Sequence, residues 1–150
     1  MQFVINVTFN QIILIMSYKI DEIEGIGAAY AEKLQEAGIR TTDDLLDRCE
    51  TRRGRAALAE ATGISEKLIL RWTNHADVFR IRGIAGQFAE LLEAAGVDTV
   101  KELRHRVAGN LAAACEEVNN ERNLCNRVPS VKEIQAMIDR AKEMEPRVKY

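Results

Sequence analysis

Three consecutive residues, Gly25-Ile26-Gly27, offer the clearest chemistry in this chain. Glycine takes positive φ cheaply, so a glycine on each side of an isoleucine permits a tight bend. With Ile26 turned inward as a pin, a helix opening at Ala28 leaves the amides of Gly25 through Ala28 unpaired at its mouth. Unpaired N–H groups and the positive end of a helix dipole together make a seat for an anion. A second corner, Gly83-Ile84-Ala85-Gly86, is a variant in which the second glycine arrives one residue late. The charges around the two differ. Asp21, Glu22 and Glu24 flank the first and oppose an anion by Coulomb repulsion. Arg80 and Arg82 precede the second, and Arg104, His105 and Arg106 follow it. Residues 1–77 carry 9 basic and 12 acidic side chains, residues 78–150 carry 12 and 11, so any polyanion contact is expected on the second half, or on Arg52, Arg53 and Arg55 in the first.

Other reactive chemistry is sparse. His75 and His105 are the only histidines and have no metal-like or nucleophile-activating spacing; His75 is expected on a surface or partly packed helix position. No G-x-S-x-G, P-loop or H-E-x-x-H pattern occurs. Asp43-Asp44 and Glu116-Glu117 are adjacent on predicted helices and so do not face each other. Arg52, Arg53 and Arg55 read as a solvated helix start. Cys49, Cys115 and Cys125 are odd in number and lack C-x-x-C pairing, which predicts reduced core thiols in a cytoplasmic protein. The expectation is a binding module rather than an enzyme, with no cofactor and no metal.

The elements that must position the corners are written twice. IEGIGAAYAEKLQEAGIRTTDDLL from Ile23 nearly recurs as IRGIAGQFAELLEAAGVDTVKELR from Ile81, an offset of 81 − 23 = 58. In each copy an apolar stripe (Tyr30, Ala31, Leu34; Phe88, Ala89, Leu92) predicts a helix. Gly38 and Gly96 follow as left-handed terminators. Thr99-Val100-Lys101-Glu102 then reads as a capping box, with Thr41 to Asp44 its weaker twin. Ser65 and Ser130 start a closing helix in each copy, now at an offset of 130 − 65 = 65, which places an insertion around Asn119–Asn126. Trp72 and Met137 hold corresponding positions and read as core anchors. The fold class is all-α, with a first module at 17–77 and a second at 78–150, each of about five short helices.

The pattern of Ile23, Gly25, Ile26, Gly27, Ala31 and Leu34 resembles the helix-hairpin-helix motif, and Ala61 to Ser65 resembles a degenerate second hairpin of that kind. The run from Tyr18 to about Met144 is similar to a bacterial and archaeal family of tandem helix-hairpin-helix proteins of unassigned function. The resemblance implies that the anion is a nucleic-acid backbone phosphate, gripped without reading sequence. The residues it implicates are Gly25, Ile26, Gly27, Gly83, Ile84 and Gly86, with Arg80, Arg82, Arg104 and Arg106 as the basic surround. The alternative is a protein–protein adaptor using the same helical faces.

Composition fits a globular chain: 47% hydrophobic and 29% charged, net charge −2. Residues 1–16 carry no charge and are too polar-interrupted to cross a bilayer. Ile5, Val7 and Phe9 alternate with polar residues as a strand would, yet no later segment offers a partner strand. The stretch is expected to be an extension, disordered or not native to the protein, with a hydrophobic docking arm as the alternative.

Overall fold

A 3₁₀ turn at Ile20–Glu22 leads into eight α-helices in the computed structural model, which describes residues 17–84 and 86–150. They are α1 (Ala28–Glu36), α2 (Thr42–Cys49), α3 (Arg52–Thr62), α4 (Glu66–Phe79), α5 (Gln87–Ala94), α6 (Val100–Arg104), α7 (Ala108–Arg122) and α8 (Val131–Lys142). The strand-like stretch and the whole expected extension 1–16, and Ala85, lie outside the described residues. Among the described residues the fold is all-helical, relieved by one isolated bridge between Lys19 and Thr41. No helix there is long and apolar enough to cross a membrane.

Local signals fix the boundaries as expected. Thr41, Thr51, Ser65, Thr99 and Ser130 each accept an amide from the first turn of the following helix. The relative strength of the two boxes is reversed, however. Thr41 and Asp44 form the complete reciprocal box, the short Asp44 carboxylate also taking the Arg40 amide. Thr99 caps Glu102, but the Glu102 carboxylate turns instead to Arg106, 3.4 Å away. Gly38 and Gly96 lie at φ 88° and 96°, the left-handed values that glycine adopts at little cost.

Several bonds of the first half recur at corresponding places in the second. Ile26 N–H donates to the Ile23 carbonyl and Ile84 N–H to that of Ile81, both at 3.1 Å. Ile39 N–H reaches Leu34, and Val97 N–H reaches Leu92, both at 2.8 Å. Arg48 donates to the Ala37 carbonyl at the end of α1, as Arg106 does to Gly96 at the end of α5. The insertion is resolved into two parts: α7 is 15 residues long against 11 for α3, and the link 123–130 replaces the Gly63–Ser65 turn. Asn119 clasps that link with its side chain, donating to the Cys125 carbonyl and accepting the Cys125 amide.

One apolar core runs through both halves. Its spine is α4, which carries the expected boundary at 77/78 inside it. Every residue from Trp72 to Phe79 is buried, polar ones included, whereas α8 buries only Ile134, Met137, Ile138 and Ala141, one stripe at helical spacing. Burial of Thr73, Asn74, His75 and Asp77 demands internal partners. Thr73 donates to Ile69 O, and Asp77 takes Arg80 and the amide of Val100, the first residue of α6. In the first half the corresponding amide, that of Thr42, donates to the Tyr18 carbonyl. A buried carboxylate thus replaces a main-chain acceptor.

After α8 the chain turns back. Residues 145–150 lie extended across the first half, Lys149 N–H donating to the Glu50 carbonyl at 2.8 Å and Arg147 meeting Asp47 at 2.9 Å.

Candidate functional site

Each corner bends at its first glycine. Gly25 lies at φ 91° and Gly83 at φ 96°, where a side chain would be strained. Each also backs onto the anchor of its own half. A Cβ at Gly25 would stand 3.8 Å from Trp72 Nε1, and one at Gly83 would stand 3.1 Å from the Met137 methyl. These glycines therefore serve the core, with Ile26 and Ile84 buried as the pins. The second glycines differ. Gly27 sits at φ −80°, which any residue adopts, while Gly86 sits at φ 50°, and α5 starts one position later than the repeat would place it.

The helices behind the corners lack side-chain caps, as α7 does, in contrast to α2, α3, α4, α6 and α8. Among the described residues no acceptor takes the amides of Gly27, Ala28 and Ala29, or those of Gln87 and Phe88. Gly27, Ala28, Ala29 and Gln87 are exposed; Phe88 is buried. The carboxylates that precede the first corner, Asp21, Glu22 and Glu24, also line a groove with Gly86, Gln87 and Arg127 at the second. Carboxylates therefore border both seats.

The basic surround divides. Arg80 is buried, its guanidinium bound to the Asp77 carboxylate and to the Glu145 carbonyl. Arg106 closes the end of α5 and pairs with Glu102. Arg104 is half-buried on α6. Arg82 alone of the four is exposed at the Gly83 corner, and its carbonyl accepts from Arg140 Nη1 at 3.0 Å. Arg140 was not among the residues singled out from sequence. Its signal was available, since it stands one turn beyond Met137, the side chain that covers Gly83.

At the junction of the halves His75 is buried, not partly exposed as expected, because α4 has neighbours on both sides. Its Nε2 lies 2.7 Å from Glu93 Oε2, and Arg71 also donates to Glu93. Burial alone would raise the Glu93 carboxyl; the hydrogen bonds and charges of Arg71 and His75 outweigh it and hold the group below its ordinary value. His75 Nδ1 and Trp72 Nε1 are buried without a hydrogen-bond partner among the described residues.

With the geometry in place, comparison with known proteins is informative on one point. The model of a family described as a domain of unknown function (DUF4332) matches residues 24–144. The chain belongs to this family. The DUF4332 span takes in both corners and all eight α-helices and stops one residue before the extended segment 145–150. No curated protein and no solved structure matches the chain.

Three cysteines in the DUF4332 span are buried as small core residues. Burial pushes the thiols of Cys49 and Cys115 up to about 11 and raises Cys125 as well. A thiol reagent at neutral pH is expected to leave all three unlabelled in the native chain and to modify all three in denaturant; prompt native labelling would contradict this placement. Among the described residues no group of three His, Cys, Asp or Glu gathers in a way that could hold a metal ion.

Proposed function

We propose that this protein is a non-enzymatic cytoplasmic binding module, built from two tandem helix-hairpin-helix modules at 17–77 and 78–150, that holds a nucleic-acid backbone without reading sequence. The single observation that carries the reading is the set of exposed amides behind the glycine corners, Gly27 to Ala29 and Gln87, that no acceptor among the described residues takes. Helix mouths with unclaimed amides suit a phosphate oxygen, which can accept several N–H groups at once. The second corner is the stronger seat, because Arg82 is exposed next to Gly83 and the Arg140 guanidinium reaches the Arg82 carbonyl. Localisation in the cytoplasm draws support from the buried free thiols.

The test is retention of duplex DNA as a function of salt. Phosphate contacts release counterions, so affinity should fall steeply between low and moderate salt. Arg82→Glu with Arg140→Glu should weaken binding uniformly across sequences and flatten the salt slope by roughly one for each arginine that had met a phosphate. Absence of retention at low salt would dismiss the reading.

A second reading, a protein–protein adaptor, is favoured by one specific observation. Asp21, Glu22 and Glu24 line the first corner and reach the mouth of the second. Such a rim repels a polyanion and attracts a basic protein surface. Partners captured after nuclease treatment, with the capture lost on replacing these three by amides, would support it.

A further inference from the structure

The extended segment 145–150 is seated in a groove between α2, α3 and α4 whose features belong to the groove rather than to the segment. Arg55 forms its floor. This guanidinium is buried, and carbonyls supply its hydrogen bonds: Cys49 O at 3.0 Å, Glu50 O at 3.2 Å and Lys149 O at 2.7 Å. Two of these cap the end of α2, where a cation is favourably placed. The third direction, Nη2, is aimed out of the helix pair and is satisfied by the main chain of the segment. The Glu50 carbonyl that Arg55 meets also accepts Lys149 N–H. One residue of an extended chain is thus held through both of its peptide groups, the arrangement by which grooves bind strands irrespective of side chain.

Side-chain selection is added at the edges. Asp47 and Glu50 make an acidic rim that meets Arg147 at 2.9 and 3.6 Å, with Lys149 Nζ 3.9 Å from Glu50. An aromatic ring follows: Tyr150 lies 6.0 Å from the Arg55 guanidinium and donates to Asn74 Oδ1 at 3.1 Å. Beside it opens a cavity of about 390 Å³ that Arg52, Arg55, Glu66, Lys67 and Leu70 also line. Tyr150 underfills it and stays 72% exposed. Lys149 and Asp47 are exposed as well, and exposed ion pairs hold weakly, whereas Arg147 and Glu50 are half-buried. Tyr150 and the Lys149 side chain are thus loosely held, while Val148 packs against the core and the Glu145 carbonyl accepts from Arg80, contacts that a competing strand must reproduce; the segment lies outside the matched DUF4332 residues.

We propose that this groove is a binding site for an extended polypeptide carrying two basic residues one apart followed by an aromatic, and that residues 145–150 occupy it as an intramolecular competitor. The partner is a protein segment of that chemistry; the site is independent of the glycine corners and of the nucleic-acid reading.

The probe is a fluorescein-labelled peptide of the sequence Glu-Pro-Arg-Val-Lys-Tyr, titrated against the full chain and followed by anisotropy. A tethered segment competes at an effective concentration on the order of mM, so the unaltered chain should bind the peptide poorly. In full-length Arg147→Glu/Lys149→Glu, whose own segment is repelled by the rim, the peptide should bind at least about tenfold tighter. Adding Asp47→Asn and Glu50→Gln should remove that gain. A chain ending at Met144 should behave as the reversed chain does; circular dichroism checks its folding, and if it does not fold the full-length variants still decide. Equal or absent binding to the unaltered and reversed chains, both folded, would overturn the proposal. So would a doubled solution mass of the unaltered chain that the peptide reverses, because the groove would then belong to the same segment of a second copy.

Discussion

Gly54→Ala is expected to destabilise this protein by about 3 kcal/mol or more, at the upper end of what overpacking costs. Gly54 lies in the first turn of α3, and a Cβ built there would meet the Arg48 carbonyl oxygen at 2.0 Å and its carbon at 3.2 Å. The obstacle is main chain at the end of α2, so no rotamer change relieves it. Helix propensity works in the opposite direction, favouring alanine by roughly 1 kcal/mol. Steric exclusion wins because α2 and α3 must separate, and Arg55, one residue on, would be pulled off the Cys49 and Glu50 carbonyls. Gly109 is the control. It stands in the first turn of α7 with nothing within 4 Å of a built Cβ, so Gly109→Ala should be neutral or stabilising by up to about 1 kcal/mol. Denaturant midpoints read by helical circular dichroism separate the pair. A Gly54→Ala chain as stable as the parent would mean that the helices do not approach as closely as described.

Asp77→Ala is the second large loss, expected at roughly 3–5 kcal/mol, the range for breaking a buried ion pair from one side. Asp77 has no exposed surface. One of its oxygens takes Arg80 Nε at 3.1 Å; the other takes the Val100 amide at 2.9 Å. Removing the carboxylate strands a buried guanidinium and also opens the start of α6. Arg80→Ala should cost a comparable amount, since it leaves Asp77 charged and desolvated. The double replacement should cost clearly less than the two together, as contacting partners do not add. Additivity within about 0.5 kcal/mol would contradict the coupling. Asp77→Asn should fall between, because the amide oxygen can still accept from Val100 while the charge on Arg80 goes unanswered.

These two sites mark where the sequence was legible and where it was not. Caps at Ser65, Thr99 and Ser130, the left-handed Gly38 and Gly96, and the anchors Trp72 and Met137 are local or repeat-related signals, and the structure carries each of them. Charge was the misleading signal. Arg80, Arg106 and Arg55 all read as cations available to a polyanion or to water. The first answers a buried aspartate and the other two close helix ends. A guanidinium facing carbonyls and one facing solvent are spelled with the same letter. Burial of His75 was likewise hidden, because a helix packed on two sides shows no single stripe. The segment 145–150 could not be placed at all, since Arg147 meets Asp47 across 100 positions and nothing in its composition names that partner. Of the corners, the bend and its pin were legible, while Arg140 beside Arg82 needed the packing of α8.

The doubly packed spine has a consequence for how the chain is made. Synthesis delivers the N-terminal helices first. Once Phe79 has left the ribosome, α2, α3 and α4 can close on one another, but the far side of Trp72 to Phe79 still waits for α5 and α6. The waiting face of the nascent first half carries His75 and Asp77 among its apolar residues, and these gain their partners only when α5 brings Glu93 and α6 brings the Val100 amide.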